Sequence, residues 1–295
     1  MSIPEVTYKS ILDQQLELEI VSFDQLKKVL KKVTDHDPFK AHRLKFNVLL
    51  VVGRGGSGVH QIDFKGHSFQ ERSTILISKD QIQTFVDLPE DNEGFLLMFT
   101  EKLFLEVGGE YPFLIDHFFN NQLYDPIHNL NENDFSELES MISKMKSKFE
   151  DKRKSVRMEV VKAYFKILLL EIFACRERKY EKVHKSPHTK YFLEFQQLLK
   201  AHFVREKKVK FYADKLNITV KKLNQITQAV VNQSAKDFIL AYIVLEAKKL
   251  LITPDLSSKE VAYGIGFDEP TNFTKFFKTH TNILPSKFTE SILSN

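Results

Sequence analysis

A four-part pattern that occurs twice near the C-terminus constrains this chain more than any other feature. In residues 211–226 a small residue, Ala213, is followed four positions later by Asn217, then by the apolar Ile218 and by Thr219. In residues 259–278, Ala262 is followed at the same offsets by Gly266, Phe267 and Asp268, 49 positions further along. A small residue lets two helices cross closely. Asn and Gly tolerate a left-handed backbone, the apolar residue plugs the core, and Thr or Asp caps the next helix. Each segment therefore reads as a helix-turn-helix, whose second helix can enter the major groove of DNA. The first such helix is expected to bury Leu223, Ile226 and Val230 and to expose Lys221, Lys222, Asn224, Gln225 and Gln228. The second is expected to bury Phe273, Phe276 and Phe277 and to expose Thr271, Asn272, Thr274, Lys275 and Lys278.

Between the two units, residues 235–251 contain no Gly or Pro and stop short of Pro254. A helix there would be about 25 Å long. A rod of that length can hold two reading helices near one turn of DNA apart.

Charge is distributed in keeping with this. The whole chain carries a net +4, yet residues 186–295 hold 16 Lys and Arg against 10 Asp and Glu. The positive excess suits an anionic partner such as DNA, although an unevenly charged soluble protein would fit the charge alone. The single cysteine, Cys175, excludes a disulfide framework and a Cys-based zinc site. It follows Phe173 and Ala174 and reads as a buried small hydrophobe. Scarce cysteine fits a reducing cytoplasm. The first ten residues lack the layout of a secretory signal. The most apolar run, residues 167–170, is far shorter than the ~20 residues needed to span a bilayer. A soluble, cytoplasmic protein without a membrane partner is expected.

Residues 44–105 are strand-rich. Apolar and β-branched runs at 46–52, at Val59, Ile62 and Phe64, at 74–77 and at 95–99 are punctuated by Gly, Asp, Asn and Pro at roughly ten-residue intervals, which predicts an all-β barrel or sandwich. Helical spacing takes over through residues 110–205. Phe135, Leu138, Met141, Ile142 and Met145 form one stripe. Val156, Val160, Tyr164, Ile167 and Phe173 belong to a second, longer helix, and Phe192, Phe195, Leu199 and Phe203 to a third. Pro187, in the linker at 184–188, can start a helix but not sit inside one. It marks domains at 1–183 and 184–295. Residues 53–58 spell G-x-G-x-x-G. Strand-like residues follow rather than a helix, and no Lys-Ser/Thr is present, so the stretch reads as a turn between strands and not as a nucleotide site.

With these residues in view, the sequence resembles the AraC/XylS family of bacterial transcription regulators over residues 190–290. The likeness is carried by Val261-Ala262, Gly266-Phe267, the run from Asn272 to Lys278, and Pro285 to Phe288. Less specifically, residues 44–105 resemble the cupin-like barrel that many members carry, and the helices at 132–178 resemble a segment that often mediates dimerisation. The resemblance implies an α+β chain of two domains: a cupin-like β-barrel with trailing helices, then an all-α double helix-turn-helix. The implied function is a sequence-specific, non-enzymatic DNA-binding regulator.

Base-edge contacts are then expected from Lys221, Asn224, Gln225, Thr271, Asn272 and Lys275, whose side chains can pair with adenine or guanine or touch a thymine methyl. Phosphate contacts are expected from Lys210, Lys222 and Lys278. An effector in the barrel would meet Phe46, Val48, Arg54, His60 and Ile62, candidates by location only, for which a core or turn role is the favoured reading. RNA polymerase and a second copy of the chain, met through helices in 132–178, are the implied protein partners. Three departures stand out. Ile243 occupies a linker-helix place where the family often has Arg for phosphate. The Gly usual before the final Pro285 is absent. Gln83 stands where a His is common, and His60 with His67 gives no complete ligand set, so no metal and no cofactor are expected. Two rival readings stay open: a cupin-type isomerase or oxygenase with a helical appendage, and a regulator that answers only to a protein partner.

Overall fold

In the computed structural model, short strands alternate with turns through the first part of the chain. The structure describes residues 5–6, 17–30, 40–87, 92–109, 118, 120, 123–151, 156–184, 186–253 and 256–293. The strands are β1 (Glu5–Val6), β2 (Leu18–Ser22), β3 (His42–Leu44), β4 (Asn47–Val52), β5 (Gly58–Ile62), β6 (Lys65–Phe69), β7 (Ser73–Ile77), β8 (Ile82–Asp87), β9 (Gly94–Phe99) and β10 (Ile127–Asn129). They form two five-stranded sheets, ordered β1-β3-β8-β5-β6 and β10-β7-β4-β9-β2. Among the described residues no pairing joins the two sheets. The closed barrel expected from the sequence is replaced by two open sheets in an α+β unit. Residues 53–57 form the turn between β4 and β5, where the Gly-rich stretch was read as a turn.

Strand β4 shows why the run at 46–52 lacks alternation. All six residues are buried, because its two faces serve two cores. Leu49 and Val51 join Leu76, Leu97 and Phe99 against a helical layer. Val48, Leu50 and Val52 join Ile75 and Ile77 against Leu44, Ile62 and Phe69 of the other sheet. The helices of this part are α1 (Phe23–Leu30), α2 (Glu101–Gly108), α3 (Glu132–Glu150) and α4 (Arg157–His184). Asn131 caps α3 by accepting from the N–H of Asp134, and Phe135, Leu138, Ile142 and Met145 face the core as their spacing requires.

The longer helix expected from the spacing is α4, which carries Val160, Tyr164, Ile167 and Phe173. Val156 precedes the helix and is 57% exposed, and Ile167 is 46% exposed. Among its apolar residues Val161, Phe165, Leu168, Leu169 and Ile172 are fully buried. Apolar residues lie on both sides of α4, so helical spacing alone fits two faces and only packing chooses between them. Cys175 is buried, and burial pushes its thiol up to about 11. Among the described residues no helix is long and apolar enough to cross a membrane.

The chain divides into two compact units, Pro4–Tyr180 and Glu181–Asn295. The second is all-helical: α5 (Pro187–His202), α6 (Val209–Lys215), α7 (Val220–Val231), α8 (Ala235–Leu251), α9 (Ser258–Gly264), α10 (Pro270–Thr281) and α11 (Pro285–Leu293). Ser186 caps α5 and Pro187 is its first residue. Phe192 and Phe195 of α5 are fully buried. Phe192 meets Phe238 of α8 edge-on at 5.1 Å, and Phe195 meets Tyr212 of α6 at 5.5 Å. Burying a ring of this size contributes about 1.5–3 kcal/mol, so α5 is the floor of the first helix-turn-helix. The expected rod is α8, and its Ile243 is fully buried. That position faces the core. Pro254 lies outside the described residues.

Candidate nucleic-acid interface

The two turns, between α6 and α7 and between α9 and α10, repeat each other bond for bond. Asn217 has φ 53° and Gly266 φ 80°, both left-handed. The N–H of Ile218 donates to Ala213 at 3.0 Å, and that of Phe267 to Ala262 at 2.9 Å. The N–H of Asn217 donates to Asp214 at 3.1 Å, and that of Gly266 to Tyr263 at 2.9 Å. Ala213 and Ala262 are fully buried, which is the close crossing that a larger residue would obstruct. Each second helix also ends alike: Asn232 closes α7 and Asn282 closes α10, both left-handed.

The entries into the two helices differ. Thr219 caps α7, its hydroxyl accepting from the N–H of Lys222 at 3.1 Å. For α10 the expected cap, Asp268, is displaced by one residue. Glu269 is the N-cap, makes no side-chain cap bond, and precedes Pro270 as first helical residue. Proline has no N–H to satisfy and forces an extended residue before it, which Glu269 is at φ −122° and ψ 124°.

On the outward faces, Lys221 and Gln225 of α7 and Thr271, Asn272, Lys275 and Lys278 of α10 are exposed, as is Lys210 of α6; Lys222 is half-buried. Beneath them Leu223, Ile226 and Thr227 are buried in α7, with Val230 half-buried; Phe273 and Phe277 are buried in α10. Phe276 is half-buried and stands 5.1 Å from the ring of Phe267. Asn224 is placed differently from the other candidates. Its Nδ2 donates to Val220 O at 3.1 Å, and its Oδ1 accepts the N–H of Ala235 at 3.0 Å. Both ends of its amide are engaged within the chain.

In the sheet-rich unit, Phe46, Val48 and Ile62 lie in the core between the sheets, and His60 is fully buried beside them, 4.2 Å from the ring of Phe85. Arg54 sits apart from these four, exposed on the turn after β4. The sequence did not single out His42, which completes a buried polar row across three strands. His60 Nε2 and Gln83 Oε1 are 2.8 Å apart, Gln83 Nε2 and His42 Nε2 are 2.8 Å apart, and His42 Nδ1 is 2.9 Å from Lys40 O. One polarity fits all three bonds: His60 Nε2–H donates to Gln83, Gln83 donates to His42, and His42 Nδ1–H donates to Lys40, while the buried His60 Nδ1 has no hydrogen-bond partner among the described residues. Both imidazoles are then neutral. Burial, with His42 and His67 nearby, pushes His60 down to about 3. Period-two placement of His42 and Leu44 on one face was the only signal that could have found it. Among the described residues no group of three or more His, Cys, Asp or Glu could hold a metal ion.

Residues 212–291 match the model of a helix-turn-helix domain family. Over 105 residues the chain is 30% identical to the Msm operon regulatory protein of Streptococcus mutans serotype c; the match spans 36% of this chain and 38% of that protein's length. Among solved structures, ToxT from Vibrio cholerae O395 is 13% identical with a TM-score of 0.46, over 95% of this chain and 99% of that one. The C-terminal domain of the two-component response regulator yesN from Fusobacterium nucleatum is 22% identical with a TM-score of 0.31, over 32% of this chain and 94% of that one.

Proposed function

We propose that this chain, whose residues 212–291 are a helix-turn-helix domain of the AraC type, is a sequence-specific DNA-binding transcription regulator that lays α7 and α10 in the major groove. The observation that carries this is the exact recurrence of one turn geometry, each time followed by a helix with a buried apolar side and an exposed polar side. Two equivalent reading heads on one frame suit a polymer that presents its groove once per turn. Base edges are assigned to Lys221, Gln225, Thr271, Asn272 and Lys275, and phosphates to Lys210, Lys222 and Lys278. Asn224 is reassigned from base reading to holding α7 against α8, because its amide is already bonded.

The domain limits in this reading are 1–183 and 184–295. The two-sheet unit is taken as a cupin-like regulatory domain whose effector would enter between the sheets, near Phe46, Val48, His60 and Ile62; Arg54 would lie outside that space. Helices α3 and α4 are taken as the self-association face. The support is a groove of about 450 Å³ lined by Met141, Tyr164 and Ile167 among polar neighbours. RNA polymerase is the second protein partner, and the cytoplasm the working compartment. The role is binding rather than catalysis. Selection of bound sequences from a random double-stranded DNA library, followed by footprinting, tests the central statement. Enrichment of one two-part motif is expected, and uniform binding of all sequences would overturn it.

A further inference from the structure

Lys207 lies between α5 and α6, ahead of the first helix-turn-helix, yet its ammonium reaches the second. Its Nζ donates to Gly266 O at 2.7 Å and to Val204 O at 3.0 Å, and stands 5.1 Å from the centroid of the Phe267 ring. It thus bonds two carbonyl oxygens and faces an aromatic ring, with the Asp268 carboxylate attracting it from the same turn. The approach is close: a Cβ added to Gly266 would lie 1.7 Å from Val204 O. Two carbonyl oxygens drawn together repel each other, and a shared ammonium reverses the sign of that contact.

We propose that Lys207 is a positioning residue that sets the spacing and angle between the two reading helices, and through them the half-site spacing that the protein accepts. The proposal rests on the DNA-reading role proposed above. Helices α9, α10 and α11 pack on α8, so the second helix-turn-helix is held to the first along that one helix, about which a limited turn stays open. The tie from residues 204–207 to the Gly266 turn is a second attachment off that line, and two attachments remove the rotation. A rotation of about 20° about α8, over the roughly 10 Å that separates packed helix axes, moves α10 by about 3.5 Å, the ~3.4 Å rise of one base pair. Affinity for one half-site needs no such tie; discrimination between spacings does.

The full chain tests this in two ways. A binding site is first selected by the wild-type protein, and one or two base pairs are then inserted between its halves. Wild type is expected to lose about tenfold or more in affinity on insertion. Lys207→Met, which keeps the aliphatic stem, is expected to lose twofold or less on insertion and to bind an isolated half-site as wild type does. Lys207→Arg is expected to restore the preference. In parallel, spin labels at Ala229→Cys and Thr279→Cys, in a Cys175→Ser background, report the distance between α7 and α10, and its distribution is expected to broaden in Lys207→Met. If Lys207→Met fails to fold, Lys207→Gln makes the same comparison. The clamp is overturned if either the spacing preference or the distance distribution stays as in wild type. If the wild-type chain selects no sequence, the reading role falls and this inference with it.

Discussion

The side-chain carbonyl of Asn224 on α7 accepts the backbone N–H of Ala235 at 3.0 Å, and so ties α7 to the first residue of α8. Ser234 caps the same helix end by accepting from Asp237. Removing the amide orphans one N–H of the first turn. Asn224→Ala is expected to lower stability by about 1 kcal/mol in urea unfolding while leaving the preferred DNA sequence unchanged. A changed preference with unchanged stability would return Asn224 to the reading face.

Gln225 and Lys275 stand exposed on different reading helices and share no partner. Losing one bidentate base contact costs roughly 1–3 kcal/mol, so the double variant Gln225→Ala with Lys275→Ala is expected to abolish sequence preference with the fold intact. Gel shifts on specific and scrambled DNA, beside circular dichroism, read both quantities. Lys278→Ala is expected to act differently. It weakens binding to both DNAs alike and reduces the slope of log affinity against log salt by about 1. Full sequence preference in the double variant would remove these assignments.

The two left-handed turn residues differ in what they tolerate. Gly266 faces the Val204 carbonyl at a distance that admits no Cβ, whereas Asn217 already carries a side chain at φ 53°. Gly266→Ala is expected to destabilise the C-terminal unit by roughly 2 kcal/mol or more, from the left-handed backbone and the clash together. Asn217→Gly is expected to stay within about 0.5 kcal/mol of wild type. Thermal unfolding of the two variants side by side checks the order, and equal effects would contradict the close approach.

Acid is expected to weaken the sheet-rich unit through His60. Its folded pKa is lowered from 6.5 to about 3, so between those values the unfolded chain binds a proton that the native chain does not. Stability therefore rises with pH across this window and falls as pH drops from about 6.5 toward 3. The slope is up to about 1.4 kcal/mol per pH unit from this group. His128, lowered to about 4 by burial and by Arg176, adds a slope of the same sign. His60→Gln, uncharged at every pH, is expected to flatten the acid side of the profile of melting temperature against pH. An unchanged acid slope would show that His60 is not the buried neutral group described.

What could be read in advance was local. Asn217 and Gly266 were legible because a left-handed turn excludes most side chains whatever surrounds it. The apolar run of β4 and the stripe of α3 were legible because spacing reports which residues share a side. Asp268 misled, since Thr219 at the matching place does cap its helix, and Pro270 moved the start of α10 one residue onward.

The sequence by itself determined which backbone shapes were open and which residues had to leave water: two congruent turns, an amphipathic helix after each, one rod and a strand-rich first part. Only the tertiary structure decided who stands opposite whom. It chose the buried face of α4, apolar on both sides, turned Asn224 inward, aligned His42, Gln83 and His60 across three strands, and carried Lys207 to Gly266, 59 residues away. The reason is physical. Steric limits on φ and the periodicity of helix and strand act within a few residues. A hydrogen bond between distant residues exists only after the chain has folded back and excluded the water that would otherwise serve both partners.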